Sequence, residues 1–228
     1  MGHDVPIAAQ DRHSDAIQDY TKAIYALQQR GDAVSTNALA ERLGVTAASA
    51  SAMVKRLAER GLVAHEPYHG VRLTDGGERL ALEVLRHHRL LETYLAEHLG
   101  VPWDRVHEEA EALEHALSED LEARIAAKLG NPTHDPHGDP IPTADLVIDE
   151  GVTRSLADLE PGDEGRFVRV SDTDPEMLRY LDERGINLGC VLEVTGRQPF
   201  DGPLTVRVSG IEHVLGGRLA HAMRVALD

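Results

Sequence analysis

Between Asn131 and Pro142, four of twelve residues are proline: Pro132, Pro136, Pro140 and Pro142. Proline fixes φ and has no N–H, so neither a helix nor a central strand can run through this stretch. It divides the chain into two parts that must fold differently. Before it, apolar residues recur at helical spacing. After it, Pro161-Gly162, Gly185, Gly189, Gly202-Pro203, Gly210 and Gly216-Gly217 break up short β-rich runs. The expected fold class is therefore mainly α with a C-terminal β part. At 228 residues and 42% hydrophobic content the chain can bury real cores, and with only 4% aromatics aliphatic side chains must fill them.

The first part reads as a series of capped helices. Residues 1–14 are a polar lead-in. Ser14-Asp15 starts a helix with Ile17, Tyr20, Ile24, Tyr25 and Leu27 on one face, stopping near Gly31. Ser35-Thr36-Asn37 caps a short helix over 38–43, closed by Gly44. Val45-Thr46 leads into a third helix, 47–60, with Met53, Val54 and Leu57 inward. Gly61-Leu62-Val63 and Val71-Arg72-Leu73-Thr74 read as strands joined by a turn at Pro67-Tyr68-His69-Gly70. Helix, short helix, helix and hairpin in this order make a winged helix-turn-helix, assigned to residues 1–75. Asp75-Gly76-Gly77 opens a long helix to about Leu99, and a second runs from about Trp103 to Leu129. The proline-rich stretch from Asn131 is read as a linker running to about Asp149, with the helical domain assigned to 76–142 and the linker proper to 143–152. A small SH3-like β-barrel takes 153–228, with strands at 166–170, 191–196 and 204–208 and one helix at 175–184.

The third helix exposes Thr46, Ala48, Ser49, Ser51, Ala52 and Lys55. Hydroxyl and methyl groups can enter a major groove, touch thymine methyls and bond phosphates. Arg56, Arg60 and Arg72 join Lys55 as candidates for holding the backbone. The helix has no Asn or Gln, so base readout is thin and affinity leans on phosphates and DNA shape. A homodimer on a pseudo-palindromic double-stranded operator would offset weak half-sites, and two dimers per operator are left open.

Charge bears on this reading. The net charge is −16, but residues 1–75 hold nine acids and eight bases, whereas 76–228 hold 30 acids and 15 bases. A near-neutral reading head on an acidic body binds DNA poorly without added positive charge. Divalent cations would add it. The segment 106–115, VHEEAEALEH, supplies candidate ligands: if helical, His107, Glu111, Glu114 and His115 fall at i, i+4, i+7 and i+8 on one stripe. Val106, Ala110, Leu113, Leu117 and Leu121 take the neighbouring arc, expected to face a core. His88 and Glu92 form an i, i+4 pair on the preceding helix, and Asp19 lies on the first helix. Oxygen with imidazole and no sulfur suits Mn²⁺ or Fe²⁺ and admits Co²⁺ or Zn²⁺. His87 points away from His88 and is expected to face solvent. His134 and His137 are assigned no role, and His65, His69, His213 and His221 have no partner at ligand spacing.

The single cysteine, Cys190, excludes an internal disulfide and a Cys-rich zinc site. The start lacks a signal-peptide pattern and no 18-residue apolar run occurs, so a cytoplasmic protein off the membrane is expected. A metallohydrolase is the rival class. The chain has no HExxH helix, nucleophile motif or phosphate loop, so no enzyme and no small organic substrate are expected.

These features, in this order, resemble the diphtheria toxin repressor family of metal-dependent regulators. The likeness covers nearly the whole chain. It is most specific at Asp19-Tyr20 with Ile24-Tyr25, at 38–44, at Arg86-His87-His88-Arg89-Leu90-Leu91-Glu92, at 106–118 and at Gly138-Asp139-Pro140-Ile141-Pro142. It implies a primary metal site of Asp19, Glu111, Glu114 and His115 and an ancillary site of His88, Glu92 and His107. Iron-responsive members carry Met and Cys where this chain has Asp19 and Glu111. Manganese-responsive members carry carboxylates there. The resemblance thus implies a manganese-dependent repressor of manganese-uptake genes with an SH3-like, FeoA-like C-terminal domain. An iron(II)-dependent repressor is the alternative. Lys22 departs from barrel-less manganese regulators, whose glutamate there helps hold a second ion near the first. Asp174 stands where the family's barrel lends an ancillary ligand, while Met177 replaces the other such position. Asp172 and Glu176 are the substitutes.

Overall fold

The computed structural model describes residues 14–29, 33–66, 70–200 and 202–227, with residues 65 and 66 described by their backbone alone. The chain divides into two compact units, with the boundary after Leu85.

The first unit contains α1 (Asp15–Gln28), α2 (Thr36–Arg42), α3 (Ala47–Glu59) and a hairpin of β1 (Val63–Glu66) and β2 (Gly70–Leu73). Its start signals are local. Ser35 Oγ accepts from the Ala38 N–H at 3.1 Å, and Thr46 Oγ1 accepts from the Ser49 N–H at 3.1 Å. Each satisfies a donor that the first helical turn leaves open. Gly44, at φ +64°, makes the turn between α2 and α3. The strands pair antiparallel with Val63 opposite Leu73. Ile17, Ile24, Leu39, Ala50, Val54 and Leu57 form the core between the three helices. The predicted stop at Gly31 and turn residues Pro67, Tyr68 and His69 lie outside the described residues. α4 (Asp75–Leu99) begins in this unit. A β-carbon on Gly77 would come within 1.9 Å of the Leu62 carbonyl oxygen, so only glycine lets the helix start there.

The second unit begins with the remainder of α4 and continues through α5 (Val106–Leu113), a single 3₁₀ turn (Glu114–Ala116) and α6 (Glu119–Lys128). The continuous helix expected over 103–129 is therefore broken. Leu117 turns to ψ 127°, and Ser118 caps α6, accepting from the Leu121 N–H at 3.4 Å. Glu119, Asp120 and Glu122 fill the first turn of α6, where carboxylates favour the helix N-terminus. The expected apolar arc divides accordingly. Val106 and Ala110 are fully buried with Leu90 and Ile125, whereas Leu113 and Leu121 are 44% and 48% exposed.

The C-terminal part is a six-stranded antiparallel sheet in the order β3-β8-β4-β5-β6-β7. It is built from β3 (Arg154–Ser155), β4 (Glu164–Val170), β5 (Val191–Arg197), β6 (Leu204–Val208), β7 (Ile211–Leu215) and β8 (Met223–Ala226). α7 (Pro175–Asp182) and α8 (Gly217–Ala222) pack beside it, and Phe167, Leu178, Leu181, Val194 and Val206 are among its buried core. Register shifts in β4 and β5 bend the sheet into the SH3-like form.

The stretch from Asn131 to Pro142, read as part of a linker, is instead a built element. Asp135, His137 and Ile141 are buried, and Ile141 N–H donates to Thr133 O at 2.8 Å. Val170 N–H donates to His137 O at 2.9 Å, tying this stretch to the end of β4. Gly138 sits at φ +84°, and a β-carbon there would lie 1.9 Å from Val168 O. Gly138→Ala combines a disfavoured backbone angle with a clash against backbone. It should cost about 2–4 kcal/mol of stability, read as a lower denaturation midpoint.

Candidate metal centre and nucleic-acid face

α4, α5 and the segment before α7 bring carboxylates and imidazoles together inside the second unit. His88 sits at the middle. Its Nδ1 lies 2.5 Å from Glu114 Oε2 and 3.9 Å from Glu111 Oε1. Its Nε2 lies 3.1 Å from Glu92 Oε1 and 3.1 Å from His107 Nδ1. The i, i+4 spacing on α4 puts His88 and Glu92 on one face, both buried. His107, one turn before Glu111 on α5, reaches Glu92 Oε1 at 3.4 Å. His115 Nε2 lies 3.7 Å from Glu114 Oε1 in the 3₁₀ turn.

Each residue of the expected sites has a definite place. His88, Glu92 and His107 meet, with Asp172 as a fourth member, and their donor atoms lie within 4.8 Å of one another. Glu111 and Glu114 converge on His88 within the same limit. Asp19 lies half-buried on α1 in the first unit. Asp174 falls outside these groups: it caps α7, accepting from the Glu176 N–H at 3.1 Å, and faces Arg218 at 3.0 Å. The barrel residue beside His107 is Asp172, at 2.9 Å. His87 does not face solvent. It is 9% exposed and lies 3.1 Å from Glu122, which also pairs with Arg86 at 2.6 Å. His137, given no role by the sequence, is fully buried, with Nδ1 3.7 Å from Glu92 Oε1.

Packing these groups together perturbs their titration. Burial works against charge on His107, but its hydrogen bonds to Asp172 and Glu92 prevail and push it up to about 10. Burial also disfavours charge on Glu92 and Asp172. Hydrogen bonds to His107 and His88 hold Glu92 far below the usual carboxylate range, and His107 holds Asp172 down. Asp135 goes the other way: burial, Glu92 and Asp139 push it well above that range. These groups fit a divalent cation. The donors are hard oxygen and imidazole, and buried Glu92 Oε2 has no hydrogen-bond partner. His88, Glu92, His107 and Asp172 would hold one ion, with Glu111, Glu114 and His115 offering further ligands beside it.

In the first unit, Thr46, Ala48, Ser49, Ser51, Ala52, Lys55, Arg56, Arg60 and Arg72 are all exposed. Ala50, Val54 and Leu57 form the buried side of α3, so the opposite face is left for a partner. In the second unit an apolar groove runs along Tyr94, Leu99, Leu113, Leu117, Leu121 and Ile125. Among the described residues no helix is long and apolar enough to cross a membrane.

A winged helix-turn-helix on the same chain as buried carboxylate–imidazole clusters defines a metal-responsive DNA-binding regulator. Comparison with known proteins agrees. Residues 13–71 match the iron dependent repressor N-terminal DNA binding domain, and 74–143 match the metal binding and dimerisation domain of the same repressors. Residues 154–227 match the FeoA domain. The chain is 31% identical to the iron-dependent repressor IdeR of Mycobacterium tuberculosis, covering 92% of this chain and 96% of that one. It resembles the solved structure of a manganese-dependent transcriptional repressor in complex with manganese, with TM-score 0.89, 48% identity, and coverage of 93% and 100%. It also resembles the manganese regulator SloR, with TM-score 0.79, 31% identity, and coverage of 93% and 98%. The chain belongs to the diphtheria toxin repressor family of metal-dependent transcriptional repressors.

Two residues beside the cluster, Asp135 and His137, escaped the sequence reading, while Asp172, named there only as a substitute for Asp174, is the barrel residue beside His107. The only local signal was Asp135-Pro136-His137-Gly138, which places two donors two residues apart in a stretch that proline stiffens and Gly138 bends.

Proposed function

We propose that this chain is a manganese-gated repressor of manganese-uptake genes. The observation that carries the reading is the donor set. His88, Glu92, His107, Glu111, Glu114, His115 and Asp172 contain oxygen and imidazole and no sulfur, and Cys190 lies between α7 and β5, away from them in sequence. Asp19 and Glu111 also place carboxylates where iron-responsive members carry Met and Cys. Hard donors favour Mn²⁺ over softer competitors when geometry and supply allow. The similar structures described as a manganese-dependent repressor and a manganese regulator support the metal. The iron-dependent relatives keep Fe²⁺ as the competing outcome.

In this reading the primary ion joins Asp19 of the reading head to Glu111, Glu114 and His115. Bound metal supplies positive charge that four mutually repelling donors otherwise lack. It shifts a population of head positions toward the one that fits a palindromic operator. The second copy docks on the groove of Tyr94, Leu99, Leu113, Leu117 and Leu121, which lies within the segment matching a dimerisation domain. Lys55 and Arg56 hold phosphates. Replacing either by alanine should weaken all duplexes about equally and lower the slope of log affinity against log salt by about 1.

The deciding experiment selects duplexes from a random pool with Mn²⁺ present. It then compares Mn²⁺, anaerobic Fe²⁺, Zn²⁺ and chelator by fluorescence anisotropy at fixed salt. Tight binding with Mn²⁺, little with chelator, and Fe²⁺ effective only at higher concentration are expected. Equal responses to Fe²⁺ and Mn²⁺ would remove the manganese assignment, and binding indifferent to metal would remove the gate.

A further inference from the structure

α4 carries His87 and His88 in succession, and they face different partners. His88 turns to the metal cluster, with Nδ1 2.5 Å from Glu114 Oε2. His87, about 100° round the helix, turns to α6, where its Nε2 lies 3.1 Å from Glu122 Oε2. Arg86 joins it there. Its Nε donates to Glu122 Oε1 at 2.6 Å, and its Nη1 donates to the Pro142 carbonyl at 2.6 Å. Both oxygens of one carboxylate are thus taken by successive residues of α4. Arg86 and His87 are each 9% exposed.

Burial opposes the charge on Glu122, but hydrogen bonds from His87 and Arg86 prevail and hold its carboxyl below the usual range. An ionised carboxylate only accepts, so His87 Nε2 donates to it. A buried network of this kind adds little net stability over apolar side chains of the same volume. What it adds is register. The aliphatic packing of this core, with Leu90 and Ile125 among its members, tolerates small slides of one helix along another. Hydrogen bonds aimed at both oxygens of one carboxylate do not.

α6 is also the helix that lines the apolar groove, through Leu121, Arg124, Ile125 and Lys128. Glu122 follows Leu121 directly in the chain. One backbone step on α4 therefore separates a side chain of the metal cluster from one that sets the helix of the groove. An ion that fixes His88 also fixes the α4 backbone at 87–88 and, through Glu122, the setting of α6.

We propose that Arg86, His87 and Glu122 couple the metal cluster to the dimer face, with Glu122 the positioning residue that holds α6 at the setting a second copy fits. Mn²⁺ binding and dimerisation then strengthen each other by the same factor, as linkage requires. The inference rests on the reading of the groove as the face for a second copy and of His88 as a metal ligand.

The test measures that factor in the full chain. Sedimentation equilibrium gives the dimer dissociation constant with Mn²⁺ and with chelator. In the unmodified chain Mn²⁺ should tighten the dimer by about 5–150-fold, the usual span of such couplings. Glu122→Gln keeps the size of the side chain and an acceptor for Arg86. It should bring the ratio towards unity while the manganese count per protomer stays that of the unmodified chain. A role in stability alone would lower the denaturation midpoint and leave the ratio unchanged, and that result would overturn the coupling. His87→Ala leaves the Arg86–Glu122 pair in place. Its ratio should fall as well, and it decides the matter if Glu122→Gln does not fold. A ratio of unity in the unmodified chain would also overturn the coupling. Both of these failures leave the repressor reading standing, because that reading is decided by operator binding with Mn²⁺ against chelator. A chain that stays monomeric throughout would remove the assignment of the groove, and the coupling with it.

Discussion

Replacing Asp19 by alanine is expected to abolish manganese-dependent operator binding while the chain still folds and dimerises. Asp19 lies on α1 in the unit that carries the reading helix, whereas Glu111, Glu114 and His115 lie in the other unit. If one ion joins them, Asp19 is the reading head's own ligand, and without it the metal binds one unit alone. A ligand that binds both states of an equilibrium equally shifts nothing. Loss of outer-shell partners alone costs about 10–100-fold in metal affinity, so loss of a ligand should cost at least that. The measurement is anisotropy on the selected duplex across a Mn²⁺ titration, with sedimentation as the check on assembly. Asp19 is half-buried, so its removal leaves the Ile17, Tyr20 and Ile24 packing in place. Unchanged Mn²⁺ dependence would sink the bridging role.

Leu121→Arg is expected to give a monomer with weak operator affinity and an unaltered metal-binding core. Leu121 is 48% exposed and lines the apolar groove, where Arg124 and Lys128 already stand. A third cation on this face repels its symmetry mate as well as those two, so the penalty is paid twice in a two-fold dimer. A charge buried without a partner costs roughly 3–5 kcal/mol, about 10²–10⁴-fold in dimer dissociation for each of the two copies. Sedimentation reports the assembly, and manganese counts report the core, because none of the clustered ligands lies on α6. A variant that remains dimeric would move the interface elsewhere.

Periodic elements were legible in the sequence and irregular ones were not. α1, α3 and α4 carry apolar residues at helical spacing, with Ser14 and Thr46 at the N-cap positions of the first two, so their extents and inward faces followed from local rules. The i, i+4 pairing of His88 and Glu92 followed in the same way. The break at Leu117–Ser118 was visible in principle, as a serine followed by Glu119 and Asp120, but a ligand spacing that fits one helix hid it. His87 looked solvent-facing because a helical period fixes direction, not what stands opposite; Glu122, 35 residues on, makes that side buried. His137 and Asp172 depend on contacts with Trp103 and His107, which no local pattern encodes. β3, β7 and β8 were not singled out, since their short runs carry little alternation and gain burial only by pairing across the sheet.

The proline-rich stretch also changes what the barrel is. Val170 is tied to His137, Arg169 to Asp139 and Glu150, and Arg179 to Asp104. Trp103 packs against the barrel core while its carbonyl holds His137. These ties cross from helical part to sheet at many points, and the contact boundary of the chain falls far upstream, after Leu85. The barrel and the helical part are therefore expected to unfold together. A chain shortened before residue 154 would lose more than an appendage: Asp172 would go, Trp103 would be uncovered, and the backing of His137 would be open to water.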